Sequence, residues 1–195
     1  MERQEEESHP FTPYIPEGAQ ILMLGTFPPK SDKWSMPFYY PNWINDMWRI
    51  MGSIFYEDPL HFVDGELRRF DLPKIKHFLC DVGIALYDTG VKVIRHKDNA
   101  SDKYLEIVER IDLQSMLKNN ASITSIVTAG EKATSVVAEI IGVKAPKMGE
   151  FVDVEYCNRQ LKLFRMPSSS RAYPMSLAKK VEYYATMFAI NDIHL

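Results

Sequence analysis

Two apolar runs of strand length set the strongest limit on how this chain can fold. "ILMLG" at residues 21–25 is apolar at every position, and "SITSIVTAG" at 122–130 has an apolar centre; each run ends in a glycine. A strand that faces water on one side alternates apolar and polar residues, whereas a continuous apolar strand is buried on both faces. Such strands are typical of a parallel sheet that helices cover on both sides.

Five segments predict helices. In most of them apolar residues recur every three or four positions, as they do on the buried face of an amphipathic helix. The helices are predicted over 42–55, 73–83, 104–118, 131–142 and 176–190. The predicted buried face of the first consists of Ile44, Met47, Trp48 and Met51.

Further strands complete the alternating pattern. "IALYDTGVKVIR" at 84–95 predicts a strand followed by a polar excursion at 96–102, and 151–166 predict a hairpin with an Asn-Arg turn. Strands that alternate with helices predict an α/β fold, here a three-layer α/β/α sandwich around a mostly parallel central sheet.

Composition limits the class of protein. A chain of 195 residues with 46% hydrophobic and 25% charged residues is ordinary for a globular protein. Residues 18–195 are expected to form a single domain, and the acidic segment 1–17 a flexible arm that packs only near Phe11 and Tyr14. No apolar run approaches the roughly 18 residues of a membrane span, and the start is acidic. We therefore expect a cytoplasmic monomer with no membrane partner.

Chemistry-bearing motifs of the common kinds are absent from the sequence. Neither a phosphate loop nor a GxSxG elbow nor an HExxH motif occurs, and the two cysteines form no CxxC pair. The sequence therefore predicts no metal and no organic cofactor. A net charge of −3 also means that a DNA-binding function needs lysine and arginine side chains concentrated in one place.

Three loops follow predicted strand ends and are the places to look for a site. They are "GTFPPKSDKW" at 25–34, "TAGEKA" at 128–133 and "MPSSSRAY" at 166–173. Ligands of open α/β sheets bind beyond the carboxyl ends of the strands. Each loop taken alone is better explained as a turn, with glycine and proline as breakers and the serines as helix caps.

Taken together, these loops resemble the motifs of the uracil-DNA glycosylase superfamily. Gly25-Thr26-Phe27-Pro28-Pro29 is similar to its first motif, "PFYYPNWINDMW" at 37–48 to the segment that ends in Asn-x-Phe-Trp, and "MPSSSRAY" to its last motif. The likeness is nearest to the mismatch-specific uracil and the hypoxanthine-DNA glycosylase branches. It implies an enzyme that removes a deaminated base, uracil or hypoxanthine, from DNA without a cofactor.

The resemblance also implies roles for residues. The base would bind against the first motif and stack on an aromatic pair. This pair precedes the asparagine loop, which we define as residues 40–45. The base-binding residues would be Gly25, Thr26, Phe27 and Pro28 of the motif and Phe38 and Tyr39 of the pair. DNA would be held by the lysine after the first motif and by the last motif: Lys30, Pro167, Ser168, Ser169, Ser170 and Arg171. Arg171 or Tyr173 would act as the wedge in the minor groove.

The catalytic residue is left open among three candidates. Phe27 stands where most of the superfamily has the water-placing Asp or Asn, and Met166 stands where the uracil-specific enzymes have a histidine. By its match to the hypoxanthine branch Asn45 is the first candidate. Asn42, which could instead cap a helix, and Asp88 in "LYDTG" are the others.

Other basic side chains could add to a DNA-binding edge, and two other functions fit the same features. The basic residues are Lys33, Arg95, Lys97, Lys132, Lys179 and Lys180. Because Phe27 replaces the polar residue, a domain that binds nucleic acid without cleaving it is one alternative. A nucleoside-processing hydrolase that uses the same strand-end pocket is the other.

Overall fold

The computed structural model describes residues 5–96 and 104–194. In these ranges the chain forms ten strands, five α-helices and one short 3-10 helix at Ser31–Lys33. In chain order the strands and helices are β1 (Glu6–Ser8), β2 (Ile21–Gly25), α1 (Met47–Tyr56), β3 (Val63–Asp64), β4 (Arg69–Phe70), α2 (Leu72–Val82), β5 (Ile84–Asp88), β6 (Gly90–Arg95), β7 (Leu105–Arg110), α3 (Leu113–Asn119), β8 (Ser125–Ala129), α4 (Glu131–Ile141), β9 (Phe151–Tyr156), β10 (Arg159–Met166) and α5 (Leu177–Ile190).

A five-stranded sheet forms the centre of the fold. Its spatial order is β5-β2-β8-β10-β9, with the first four strands parallel and β9 antiparallel at one edge. Ile21, Leu22, Met23 and Leu24 of β2 are fully buried, as an apolar strand between two parallel neighbours must be. The predicted α/β class with a mostly parallel central sheet is confirmed.

The helices cover this sheet and close the core. α1 packs on α5, α4 lies on β8 and β10, and α2 lies on β5. Trp48 of α1 is almost fully buried and packs against Phe38 and Phe62. None of the helices in the described ranges is long and apolar enough to cross a membrane.

The helix ends follow from local sequence. Asp71 begins α2, because its Oδ1 accepts the N–H of Lys74, and Gly83 ends it in the left-handed region at φ +70°. α1 begins later than predicted, at Met47 rather than at residue 42. The expectation that Ile44 belongs to the buried face is wrong, since Ile44 precedes the helix and is 53% exposed.

The predicted helix over 104–118 is wrong. Its first half is strand β7, and only its second half is a helix, α3, which begins where Asp112 accepts the N–H of Ser115. β7 pairs antiparallel with β6 in a separate three-stranded sheet of order β1-β6-β7. This pairing with a distant strand overrides the local helical spacing.

Residues 84–95 form two strands rather than one. β5 belongs to the central sheet, whereas β6 belongs to the three-stranded sheet, and Thr89 lies between them. Of the polar excursion, His96 is described and residues 97–102 lie outside the described ranges. The hairpin of β9 and β10 is confirmed, with its turn at Cys157 and Asn158, both at positive φ, one residue before the Asn-Arg pair.

The acidic N-terminal segment packs more extensively than predicted. Tyr14 exchanges two backbone hydrogen bonds with Leu86 of β5, at 3.0 and 2.8 Å. Further upstream β1 pairs antiparallel with β6, and Glu7 forms a two-bonded ion pair with Arg95. The chain between them, including His9, is thereby held against the end of β5.

Candidate active site

A cleft of about 770 Å³ lies beyond the carboxyl ends of the parallel strands. It is lined by the first motif, by the asparagine loop between Tyr40 and Asn45, by the turn into α4, and by the serine loop, which we define as residues 166–174. Most of the predicted site residues line it: Gly25, Thr26, Phe27, Pro28, Asn42, Asn45, Asp88, Pro167, Ser168, Ser169 and Ser170. Four of them do not: Lys30, Phe38, Tyr39 and Arg171.

The floor of the cleft is the turn after β2. Gly25 is required here by a close approach, because a Cβ on it would lie 2.5 Å from Oδ1 of Asp88. The backbone N–H groups of Thr89 and Gly90 donate to the carbonyls of Gly25 and Thr26, both at 2.9 Å. The ends of β2 and β5 are thus fixed to each other, and the Asp88 carboxylate lies against the glycine.

Asp88 has a partner that the sequence did not predict. Its Oδ2 lies 2.9 Å from Nε2 of His9, and the side chains are only 9% and 2% exposed. The His9 ring contacts the rings of Tyr87 and Phe27, with centroids 4.8 and 5.2 Å away. A carboxylate at the cleft floor is therefore held from behind by a buried imidazole.

Of the three consecutive aromatic residues Phe38, Tyr39 and Tyr40, the one that lines the cleft is Tyr40 rather than the predicted pair. Phe38 and Tyr39 are 6% and 2% exposed and pack in the core, where the Tyr39 hydroxyl donates to the carbonyl of Thr12. The expectation that they stack on a base needs correction, because neither side chain reaches the cleft. Tyr40 takes a left-handed backbone conformation, φ 51°, that turns it away from its neighbours.

The hydroxyl of Tyr40 is buried next to Asp88. It has no hydrogen-bond partner in the described part of the chain, and it would lie 3.7 Å from a Cβ on Gly25. Burial, followed by the nearby Tyr184 and Asp88, raises the pKa of Tyr40 well above its usual value. At neutral pH Tyr40 is therefore a protonated phenol that can donate a hydrogen bond.

The two asparagines have different local tasks. Oδ1 of Asn45 accepts the N–H of Met47 at the start of α1, and Oδ1 of Asn42 accepts the N–H of Ile44. Asn42 therefore forms a turn and does not cap the helix. The guanidinium of Arg49 donates to the carbonyls of Asn45 and Trp43, at 3.0 and 2.9 Å, which braces this loop from the helix side.

The serine loop is folded by its own side chains. Oγ of Ser168 accepts the N–H of Ser170, and Oγ of Ser170 accepts the N–H of Ala172. Ser169 is 3% exposed. The three serines do not cap the last helix, because that role belongs to Ser176, whose Oγ accepts the N–H of Lys179.

A cluster of charged residues, buried at Asp46 and Lys180 and partly exposed at Arg171, joins the serine loop to the asparagine loop. Oδ2 of Asp46 lies 3.0 Å from Nζ of Lys180, whose side chain is fully buried, and Oδ1 lies 2.9 Å from Nε of Arg171. Nζ of Lys180 also donates to the carbonyl of Ser170, and the N–H of Asp46 donates to the carbonyl of Ser169. We call Asp46, Arg171 and Lys180 the charge cluster.

Several of the basic residues considered for DNA binding are committed elsewhere. Lys180 is buried in the charge cluster, and the Arg95 side chain is 6% exposed and paired with Glu7, so neither can reach a phosphate. Lys97 lies outside the described residues. Lys132 and Arg165 do line the cleft, next to Glu131, while Lys33 and Lys179 form exposed ion pairs.

Residues at the site that the sequence pattern did not single out include His9, Tyr40, Met148 and Arg165; all but His9 line the cleft. Ile44, expected on a buried helix face, lines it as well. The run "FYYP" at 38–41 indicated that an aromatic residue lies at the cleft. It did not indicate which of the three aromatic residues this is. His9 had no local signal at all, because its partner lies 79 residues away.

The fold matches a solved structure. The solution NMR structure of a candidate uracil DNA glycosylase from Methanosarcina acetivorans superposes with a TM-score of 0.64, over 95% of this chain and 98% of the other, at 18% sequence identity. The chain therefore shares the fold of that structure. It matches no protein-family model and no curated protein sequence.

The charge cluster generates a test of stability. Lys180→Met should lower the free energy of unfolding by about 3 kcal/mol, because it leaves the buried Asp46 carboxylate and the Ser170 carbonyl short of a donor. Urea denaturation measures this. Lys179→Met is the matched control. Because the ion pair of Lys179 with Glu182 is exposed, this substitution should change the free energy of unfolding by less than about 1 kcal/mol. Equal losses in the two variants would refute the structural role of the cluster.

Proposed function

We propose that this protein is a monofunctional DNA glycosylase that hydrolyses the N-glycosidic bond of a deaminated base, uracil or hypoxanthine, in DNA. The observation that carries the proposal is the convergence of the first motif, the asparagine loop and the serine loop on one cleft. These are the three segments in which the sequence resembles the uracil-DNA glycosylase superfamily, and the likeness of fold agrees with it.

The cleft suits an extruded nucleotide. An enzyme that acts on a base within DNA turns the nucleotide out of the stack into a fitted pocket. A volume of about 770 Å³ is within the usual range of small-ligand pockets. Phe27 and Tyr40 present rings to this space, and the turn at Gly25 and Thr26 forms its floor. Under the proposal, the base packs against these groups.

The chemistry needs a placed water molecule and donors for the leaving base. Cleavage passes through an oxocarbenium-like sugar, and Phe27 cannot hydrogen-bond to water. Asn45 is our first candidate to place the water, with Asn42 and Asp88 as the alternatives; all three line the cleft. Because Met166 replaces a histidine, the departing base relies on backbone N–H groups and on neutral donors.

DNA contact falls to the serine loop and its surroundings. Ser168 and Ser170 lie at the cleft with Pro167. Lys30 is exposed and directly follows Pro29, which lines the cleft. Hydroxyl and backbone N–H groups bind phosphate oxygens without reading the base sequence. Tyr173 lines the cleft and is the better placed wedge, since Arg171 is engaged with Asp46.

The function is tested with end-labelled oligonucleotides that each carry one uracil, hypoxanthine or xanthine. After incubation, alkali breaks the strand wherever a base has been removed. We expect a base-dependent break at uracil or hypoxanthine and none in the matched undamaged strand. A gel shift without any break would favour the binding-only alternative, and neither signal would favour a nucleoside substrate.

Asn45→Ala should lower the single-turnover cleavage rate by at least about 100-fold, because the water loses its placing group. DNA affinity, measured by gel shift, should change little. Asn119→Ala, at an exposed asparagine away from the cleft, is the control and should behave as wild type. Full activity of Asn45→Ala would remove Asn45 from catalysis, and a loss in Asn42→Ala instead would transfer the role to Asn42.

A further inference from the structure

We propose that Asp88 is a catalytic carboxylate in this cleft and that His9, from the N-terminal segment, is the positioning residue that fixes it. The proposal rests on the glycosylase function proposed above and deepens it. It assigns a role to the N-terminal segment 1–17, which was expected to be a flexible arm.

The hydrogen bond between the two side chains has a defined direction. A carboxylate only accepts hydrogen bonds, so Nε2 of His9, 2.9 Å from Oδ2 of Asp88, carries the hydrogen. With its hydrogen on Nε2, the neutral ring has an acceptor at Nδ1, and this atom accepts the N–H of Phe11, whose nitrogen lies 3.1 Å away. The imidazole is therefore held at both nitrogens.

Aromatic packing holds the ring in place as well. Four rings surround His9, with centroids between 4.8 and 6.1 Å away: Phe11, Phe27, Tyr39 and Tyr87. A ring packed on several sides and bonded at both nitrogens has one orientation. It therefore gives the carboxylate one orientation, which is what a catalytic group needs from its support.

Because Oδ2 accepts the hydrogen bond from His9, the other carboxylate oxygen of Asp88, Oδ1, is the one left to accept a proton in the cleft. Oδ1 of Asp88 lies against Gly25, and a Cβ placed on this glycine would be 2.5 Å from it. The same Cβ would be 3.7 Å from the hydroxyl of Tyr40, which has no hydrogen-bond partner in the described residues. The site thus offers one acceptor and one donor close together. A water molecule between an acceptor and a donor has both its proton and its oxygen oriented.

The reaction balances with these groups alone. The water oxygen bonds to C1′ of the sugar while the bond from C1′ to the base nitrogen breaks, and the electron pair of that bond leaves with the base. Oδ1 of Asp88 accepts the proton that the water loses, and this proton then passes to solvent or to the departing base. Asn45 binds and places the water, whereas Asp88 takes its proton.

The test compares His9→Phe, which keeps a planar ring but removes the donor, with His9→Gln, whose amide nitrogen restores a donor. We expect His9→Phe to lower the single-turnover rate on the cleaved oligonucleotide by about 10- to 100-fold, the cost of a misplacement of about 1 Å. The concentration for half-maximal DNA binding should be unchanged. His9→Gln should recover most of the rate, and Asp88→Asn should lose at least as much as His9→Phe.

Controls separate this role from stability and from the proposed function. His77→Phe, at a histidine whose side chain is 83% exposed, should cleave like wild type, and thermal melting reports whether each variant is folded. If His9→Phe is folded and cleaves at the wild-type rate, or if His9→Gln is no better than His9→Phe, the positioning role is overturned. A wild-type protein that cleaves no base would instead overturn the proposed function itself.

Discussion

The register of the parallel strands is the constraint on which the rest of the site depends. Gly25 at the end of β2 pairs with Asp88 at the end of β5, and Met166 at the end of β10 pairs with Ala129 at the end of β8. A slip of one residue in either pair would turn these side chains to the opposite face. The register therefore brings the glycine and the carboxylate together, and the bonds from the N–H groups of Thr89 and Gly90 to the carbonyls of Gly25 and Thr26 hold the two strand ends in that place.

The asparagine loop and the serine loop are joined by a second interaction, which is polar and adds to the apolar packing of Phe38 and Tyr39. The charge cluster supplies it: Asp46 precedes α1, Lys180 lies in α5, and 134 residues separate them. Their buried pair fixes the serine loop through the carbonyl of Ser170. Buried charges contribute little net stability compared with apolar packing, so their use here is better explained by the geometry they impose.

The parts that could be predicted from the sequence are those decided by local pattern. β2 and β8 were evident from their apolar runs, and most helices were evident from spacing and from end signals such as Gly83, whereas the cap at Asp71 was not predicted. The segment 104–118 was mispredicted because only its partner β6 makes its first half a strand. Long-range pairing of this kind is invisible to a local window.

The same distinction holds within the cleft. The three motif loops were located correctly because strand ends of a parallel sheet share one edge. The choice among Phe38, Tyr39 and Tyr40 could not be made, since it depends on one left-handed residue in an irregular loop. His9 could not be found because its role depends on the pairing of β1 with β6, which brings the N-terminal segment to the end of β5.

The distribution of charge limits how the proposed function can work. Of the basic residues first considered for a DNA-binding edge, Lys180 and Arg95 stabilise the fold instead. Arg165, which was not among them, lines the cleft and lies 3.8 Å from Glu131. Lys180 and Arg95 therefore make no phosphate contacts, and contacts between cations and phosphates are what give DNA binding its salt-dependent strength. Under the proposal, affinity comes mainly from stacking and neutral hydrogen bonds around the extruded nucleotide. A protein of net charge −3 then gains more of its binding energy from the extruded base in its cleft than from the surrounding DNA double helix.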